Sequence, residues 1–228
     1  MISRQDVARQ IRSINIQFAG LSLSNEQNFH VMREVDGRWE ITVKEAGGLA
    51  IALRNVSYRE IYGVLDRARM YNLKMLDGAL IQMLYTFDAE GIAAHRLAFF
   101  PSPDLEDFQN DPEPYLNDDV YADILNKNIV PFPIRFDYKR LDDLGGVQHP
   151  QSHLTLGQYV NCRIPVSAPV TPFAFADFVL RNFYNTVFMK FTDRLNLDGD
   201  SYPDCITNND RRIAHLRLRE NSAIPSEA

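Results

Sequence analysis

Two places in this 228-residue chain show alternating apolar and polar residues on both sides of a tight turn, and that pattern restricts the fold more than any other feature. NFHVMREV and RWEITVKE flank Asp36-Gly37, and LIQMLYTFD and IAAHRLAFFPSP flank Asp88-Ala-Glu-Gly91. Successive side chains of a strand point to opposite faces, and Asp-Gly supplies the left-handed backbone that a two-residue hairpin needs. Each pair therefore predicts two antiparallel neighbours. GLAIALRN, PFPIRFDY, SHLTLG and YVNCRIPV read as further strands. The expected fold is α+β, with a mainly antiparallel sheet of about six to eight strands.

Helical periodicity fills the intervals. Ser3 followed by QDVARQIRSI predicts a capped amphipathic helix with Val7, Ile11 and Ile14 on one stripe. A second helix is expected from Ser57, with Ile61, Leu65 and Ala68 facing inward, and a short one over YLNDDVYADILNKN. Thr171-Pro172 is a strong start signal, because Thr caps and Pro fits the first helical position. The segment PFAFADFVLRNFYNTVFMKFTDRL is then expected to be the longest helix, about six turns at 3.6 residues each, apolar on nearly all sides and packed under the sheet. Its aromatics, among them Phe175, Phe178 and Phe188, have helical spacing and read as core. No internal repeat or long linker divides the chain, so 1–228 reads as a single domain, with a frayed polar tail from about 220.

Charge is distributed unevenly. Residues 101–126 hold eight acids and no Lys or Arg, more than the whole chain's net charge of −6, so the rest stands at about +2. A body so nearly neutral lacks the basic face that charge-driven duplex binding requires. No run of about 18 apolar residues is present, which argues against a membrane span. The charged N-terminus lacks the apolar core of a secretory signal, and two cysteines make no disulfide framework, so the cytoplasm is the expected location.

Chemistry concentrates between Pro131 and Tyr184. His149 and His153 are four residues apart, but Pro150 between them and Gly145-Gly146 before them oppose the shared helical face of a zinc-binding pair. In a turn the rings can still converge, and Asp137 or Cys162 would then supply a third metal ligand. The alternatives are a strand-end bond from His153 to a backbone carbonyl, or proton transfer and phosphate contact near neutral pH. Arg135 and Asp137 fall on one face of their strand and are expected to pair with each other or with Arg163. Asp104, Asp137 and Lys139 also echo the pattern of magnesium-dependent nucleases. Arg181, inside an apolar helix, needs an anion: Asp177 one turn earlier, Asp137, or a phosphate. The candidates are thus His149, His153 and Asp137 for catalysis, and Arg135, Arg163 and Arg181 for phosphate or partner binding. The sequence specifies no cofactor, metal or oligomeric state, and leaves open whether the protein is an enzyme.

The run RFDY…HPQSHLTLG…CRIPV…TPF…FVLRNFY resembles an uncharacterised bacterial family, classed only as a domain of unknown function, in which these elements recur in that order. The resemblance is specific over 131–184 and looser over most of the chain. Members look like accessory proteins encoded beside a DNA helicase in anti-phage defence loci, which implies a helicase partner. The family supplies no catalytic residues to carry over. The leading expectation is a helicase-associated defence component that recognises the helicase or a nucleic-acid end. Arg135, His149, His153, Arg163 and Arg181 would form its pocket. The alternatives are a metal- or histidine-dependent nuclease effector, and a non-catalytic inhibitor or nucleic-acid mimic acting through the acidic segment.

Overall fold

The computed structural model of the protein describes residues 2–43, 56–104, 131–140, 149–159 and 161–218. The expected strand over 48–55, the helix over 115–128, nearly all of the acidic segment and the polar tail lie outside these residues. The first helix, α1 (Arg4–Gly20), starts where Ser3 accepts a hydrogen bond from the Asp6 amide and Asp6 accepts one in return from the Ser3 amide. This reciprocal cap satisfies two otherwise unpaired amides. The stripe of Val7, Ile11 and Ile14, extended by Phe18, is fully buried.

Among the described residues nine strands form one sheet in which every strand pairing is antiparallel. They are β1 (Ser24–Gln27), β2 (Val31–Val35), β3 (Arg38–Thr42), β4 (Leu73–Met75), β5 (Leu80–Asp88), β6 (Gly91–Phe100), β7 (Ile134–Lys139), β8 (Ser152–Leu156) and β9 (Ile164–Pro165). Both hairpins form around the expected turns. Asp36 (φ 50°) and Gly37 (φ 73°) occupy the left-handed region between Val35 and Arg38, the geometry of a type I′ turn. Seven of the eight expected strands are among the nine, the eighth, over 48–55, lying outside the described residues; β1 and β4, of four and three residues, are too short to show an alternation. Central β5 pairs with β6 along one edge. Along the other it pairs with β4 at its start and β3 at its end. From β6 the sheet continues through β7 and β8 to β9.

The two faces of the sheet bury different partners. One carries Ile81, Met83, Leu97, Phe99, Ile134, Phe136 and Leu154 against α1 and the C-terminal helices. The other carries Leu80, Ala98 and Phe100 against Ile61, Tyr62 and Leu65 of α2 (Tyr58–Arg67). Ser57 caps α2, as expected, by accepting from the Glu60 amide.

The long C-terminal helix is not continuous. Thr171 caps α3 (Pro172–Phe183) with Pro172 at its first position, but the backbone leaves helical geometry at Tyr184 (φ −137°, ψ 49°) before α4 (Asn185–Phe191). Among the described residues the longest helix is α1, with 17 residues. The break is explained at Tyr184 itself. Its ring is buried and its hydroxyl lies 2.8 and 2.9 Å from the two carboxylate oxygens of Asp77, in the turn between β4 and β5. Sequence periodicity carries no sign of this long-range bond.

Candidate functional site

Strand register brings the polar residues of three strands into rows on the face of the sheet that α2 covers at one end. Arg96 of β6 stands opposite Asp137 of β7, and Asp137 stands opposite His153 of β8. Two residues along, Ala98, Arg135 and Thr155 form the next row. His153 faces Pro165 and Leu154 faces Ile164. Extending that register by one residue sets Arg163 beside Thr155.

Asp137 is the carboxylate at the centre of this cluster. Arg96 donates to it through Nε at 2.8 Å, while Arg135 Nε lies 4.0 Å away, an electrostatic contact too long for a hydrogen bond. The side chains of Arg96, Asp137 and Arg135 are only 24, 17 and 12% exposed. Burial works to raise the Asp137 pKa, but the two guanidinium groups and the Arg96 hydrogen bond outweigh it and hold the carboxyl below its usual value. Asp137 is therefore ionised at neutral pH. Arg135 makes no such bond. Its Nε and Nη1 are buried without a hydrogen-bond partner, although a guanidinium in the interior ordinarily finds an acceptor for its donors.

His153 completes the row. Its Nδ1 lies 3.2 Å from the Pro150 carbonyl, which can only accept, so the Nδ1 proton is donated there and Nε2 is the basic nitrogen. Burial lowers its pKa below the ordinary histidine value; Asp137 and the Pro150 bond oppose the shift, while Arg163 and Arg135 add to it. The ring is neutral at pH 7. His149, exposed at the turn, lies against Arg163, whose Nη1 is 2.6 Å from one ring nitrogen and 2.8 Å from the other.

Five of the six candidate residues are thus neighbours: Arg135, Asp137, His149, His153 and Arg163. Arg181 stands apart, on α3 and across the sheet. It is 43% exposed, its Nε donates at 2.8 Å to both oxygens of Asp177, and its guanidinium stacks 4.1 Å from the centre of the Phe188 ring. Its anion is the helix neighbour, not Asp137. It borders a separate cleft of about 410 Å³ lined also by Asp177, Asn182 and Arg217. Asp104 is engaged by Arg59 of α2 and does not join Asp137 and Lys139. Cys162 accepts from the Leu156 amide at 3.4 Å. Among the described residues, no group of three His, Cys, Asp or Glu side chains is placed to hold a metal ion.

Arg96 belongs to the site and escaped sequence reasoning. The alternation of HRLAFF separates its side chain from inward-facing His95, but its partner on β7 is separated from it by the long 101–133 connection. Chemically, the cluster sets two guanidinium groups and a neutral imidazole around one carboxylate, with a third guanidinium, Arg163, near the imidazole. The local excess of positive charge and the unused donors of Arg135 match an oxyanion such as a phosphate.

A family model described as "Uncharacterized conserved protein (DUF2290)" matches residues 23–218, which include every residue of the cluster. Neither a curated protein nor a solved structure matches the chain.

Proposed function

The chain belongs to the DUF2290 family, and from that premise we propose that it is a phosphate-recognising accessory protein that engages a nucleic-acid end through the Arg96–Arg135–Asp137–His153–Arg163 cluster. In this reading it acts beside a helicase in bacterial anti-phage defence, the setting implied by the resemblance of 131–184. The observation that carries the binding role is Arg135. A buried guanidinium with two unpartnered N–H groups costs stability unless it serves a ligand, and the neighbouring Asp137 carboxylate already bonds Arg96. Asp137 fixes the arginines in place, Arg163 widens the cluster of donors, and the neutral His153 adds an accepting nitrogen.

Fluorescence anisotropy with a 5′-phosphorylated oligonucleotide tests the reading. Arg135→Gln is expected to weaken binding by about 2 kcal/mol, the scale of a charge-assisted hydrogen bond, or roughly thirtyfold. Unchanged affinity in a folded variant rejects it. The same mixtures, with the helicase and magnesium added, report cleavage and so separate a binding protein from a nuclease effector.

His153 gives the nuclease reading its one specific support, since a neutral imidazole beside an anion site can take a proton. The mimic reading rests on the acidic segment, of which only residues 101–104 are described.

A further inference from the structure

Away from the arginine rows, α3 and the segment Arg217-Leu218 enclose a cleft of about 410 Å³, in the lower part of the range for small-molecule sites. Phe178 and Leu218 give it an apolar lining, and Arg181, Arg217, Asp177 and Asn182 supply polar groups. Both walls are held by bonds already made. Arg181 donates from Nε to Asp177 and stacks its guanidinium on the Phe188 ring, which fixes the plane of the fork. Arg217 donates from Nη2 to Asp204 at 3.2 Å. The backbone beside it is tied to the end of β9. The Leu216 amide donates to the Pro165 carbonyl at 2.8 Å, and the Ser167 amide to the Leu216 carbonyl at 2.9 Å. Groups held in this way lose little freedom when a ligand arrives.

These bonds leave donors over. Arg181 uses only Nε, and its Nη1 and Nη2 bond no described residue. Asn182 donates from Nδ2 to the Phe178 carbonyl at 2.7 Å and keeps its second amide proton. Two Nη groups side by side form the edge of a guanidinium that grips a carboxylate through parallel hydrogen bonds. Charge selects the same ligand. Asp204 is shared by Arg211 and Arg217, and Asp177 pairs with Arg181, so three guanidinium groups face two carboxylates. A monoanion balances the one positive charge left over, whereas a phosphate dianion exceeds it. The apolar lining calls for a body that inorganic anions lack.

We propose that this cleft binds a monocarboxylate carried on an apolar body, with Arg181 as the fork that receives it. The site is separate from the phosphate cluster and does not depend on it. NMR titration of the ¹⁵N-labelled full chain with 3-phenylpropionate, its neutral amide and inorganic phosphate tests it. The acid should bind at millimolar concentration or below and shift the backbone amides of 174–182 and 217–218. The neutral amide should bind about tenfold more weakly, the low end for a hydrogen bond to a charged group. Arg181→Gln should cost the acid the same factor and leave the neutral amide unaffected, which also shows that the variant is folded. Arg181→Lys, keeping the charge without the fork, should fall between, and Arg135→Gln should change nothing. A short peptide ending in phenylalanine with a free carboxylate identifies the source. Tighter binding than the free acid assigns the group to a protein chain end and weaker binding to a small metabolite, and either supports the cleft. Acid and amide binding alike, phosphate displacing the acid at equal concentration, or an acid affinity that survives Arg181→Gln overturns it.

Discussion

His95 precedes Arg96 on β6, and strand alternation sends their side chains to opposite faces with opposite consequences. Arg96 joins the polar cluster, whereas His95 is buried between the rings of Tyr85 and Tyr138 at 5.5 and 5.7 Å. Its Nε2 accepts from the Val170 amide at 2.9 Å, and Nδ1 has no partner. Burial, opposed by Asp137 on the far side of the sheet, lowers its pKa to about 4 from an ordinary 6.5. The unfolded chain therefore binds the proton first, so the fold loses stability as pH falls from about 6.5 to about 4 and gains nothing further from this group above 6.5. The loss is on the order of 3 kcal/mol. Denaturant melts at pH 7 and pH 4.5 should show it, and His95→Gln should flatten that part of the profile. A wild-type slope retained in the variant would assign the effect to other groups. The polar residues of the neighbouring row were legible as types: Arg135, Asp137, His149, His153 and Arg163 stand out because charged groups interrupt apolar strands. Their shared face was legible only within β7, since pairing between strands is decided by contacts distant in sequence.

Tyr184 shows the same limit for whole elements. Hairpins and caps are local, and both turns and the Ser3, Ser57 and Thr171 caps were readable from a few residues. The helix break was not, because it follows from the bond between Tyr184 and Asp77, 107 residues apart in sequence. Apolar periodicity runs unbroken from α3 into α4, so the sequence alone predicts a single helix. The bond also ties the C-terminal helices to the β4–β5 turn, where the Asp77 carboxylate accepts from the Ala79 amide. Tyr184→Phe keeps the ring and removes the hydroxyl, withdrawing a donor from a buried carboxylate. It should cost about 1–3 kcal/mol, seen as a lower denaturant midpoint with an unchanged m-value. A change in m-value instead would mean that the helices detach and expose surface.

At the scale of the molecule, the sheet keeps two kinds of business apart. One face is sealed by α1, α3 and α4 around the larger core, and the other is shared between α2 and the polar rows. The antiparallel α+β architecture was legible because it is written in local alternation, whereas the position of the rows beyond α2 depends on strand order. That arrangement fixes how nucleic acid can be held. The negative charge is concentrated in residues 101–126 and the rest of the chain is nearly neutral, so its surface at large offers a polyanion little attraction and binding is confined to the cluster. Three arginines, Arg96, Arg135 and Arg163, can neutralise at most about three phosphates of a single strand. The logarithm of affinity should then fall against the logarithm of salt concentration with a slope near −2, from about −0.7 per phosphate. Anisotropy titrations across a salt series measure the slope directly, and Arg135→Gln should make it shallower by nearly one phosphate's share. A slope of −5 or steeper would require a broad basic surface, and binding would then have to be sought away from the β6–β9 rows.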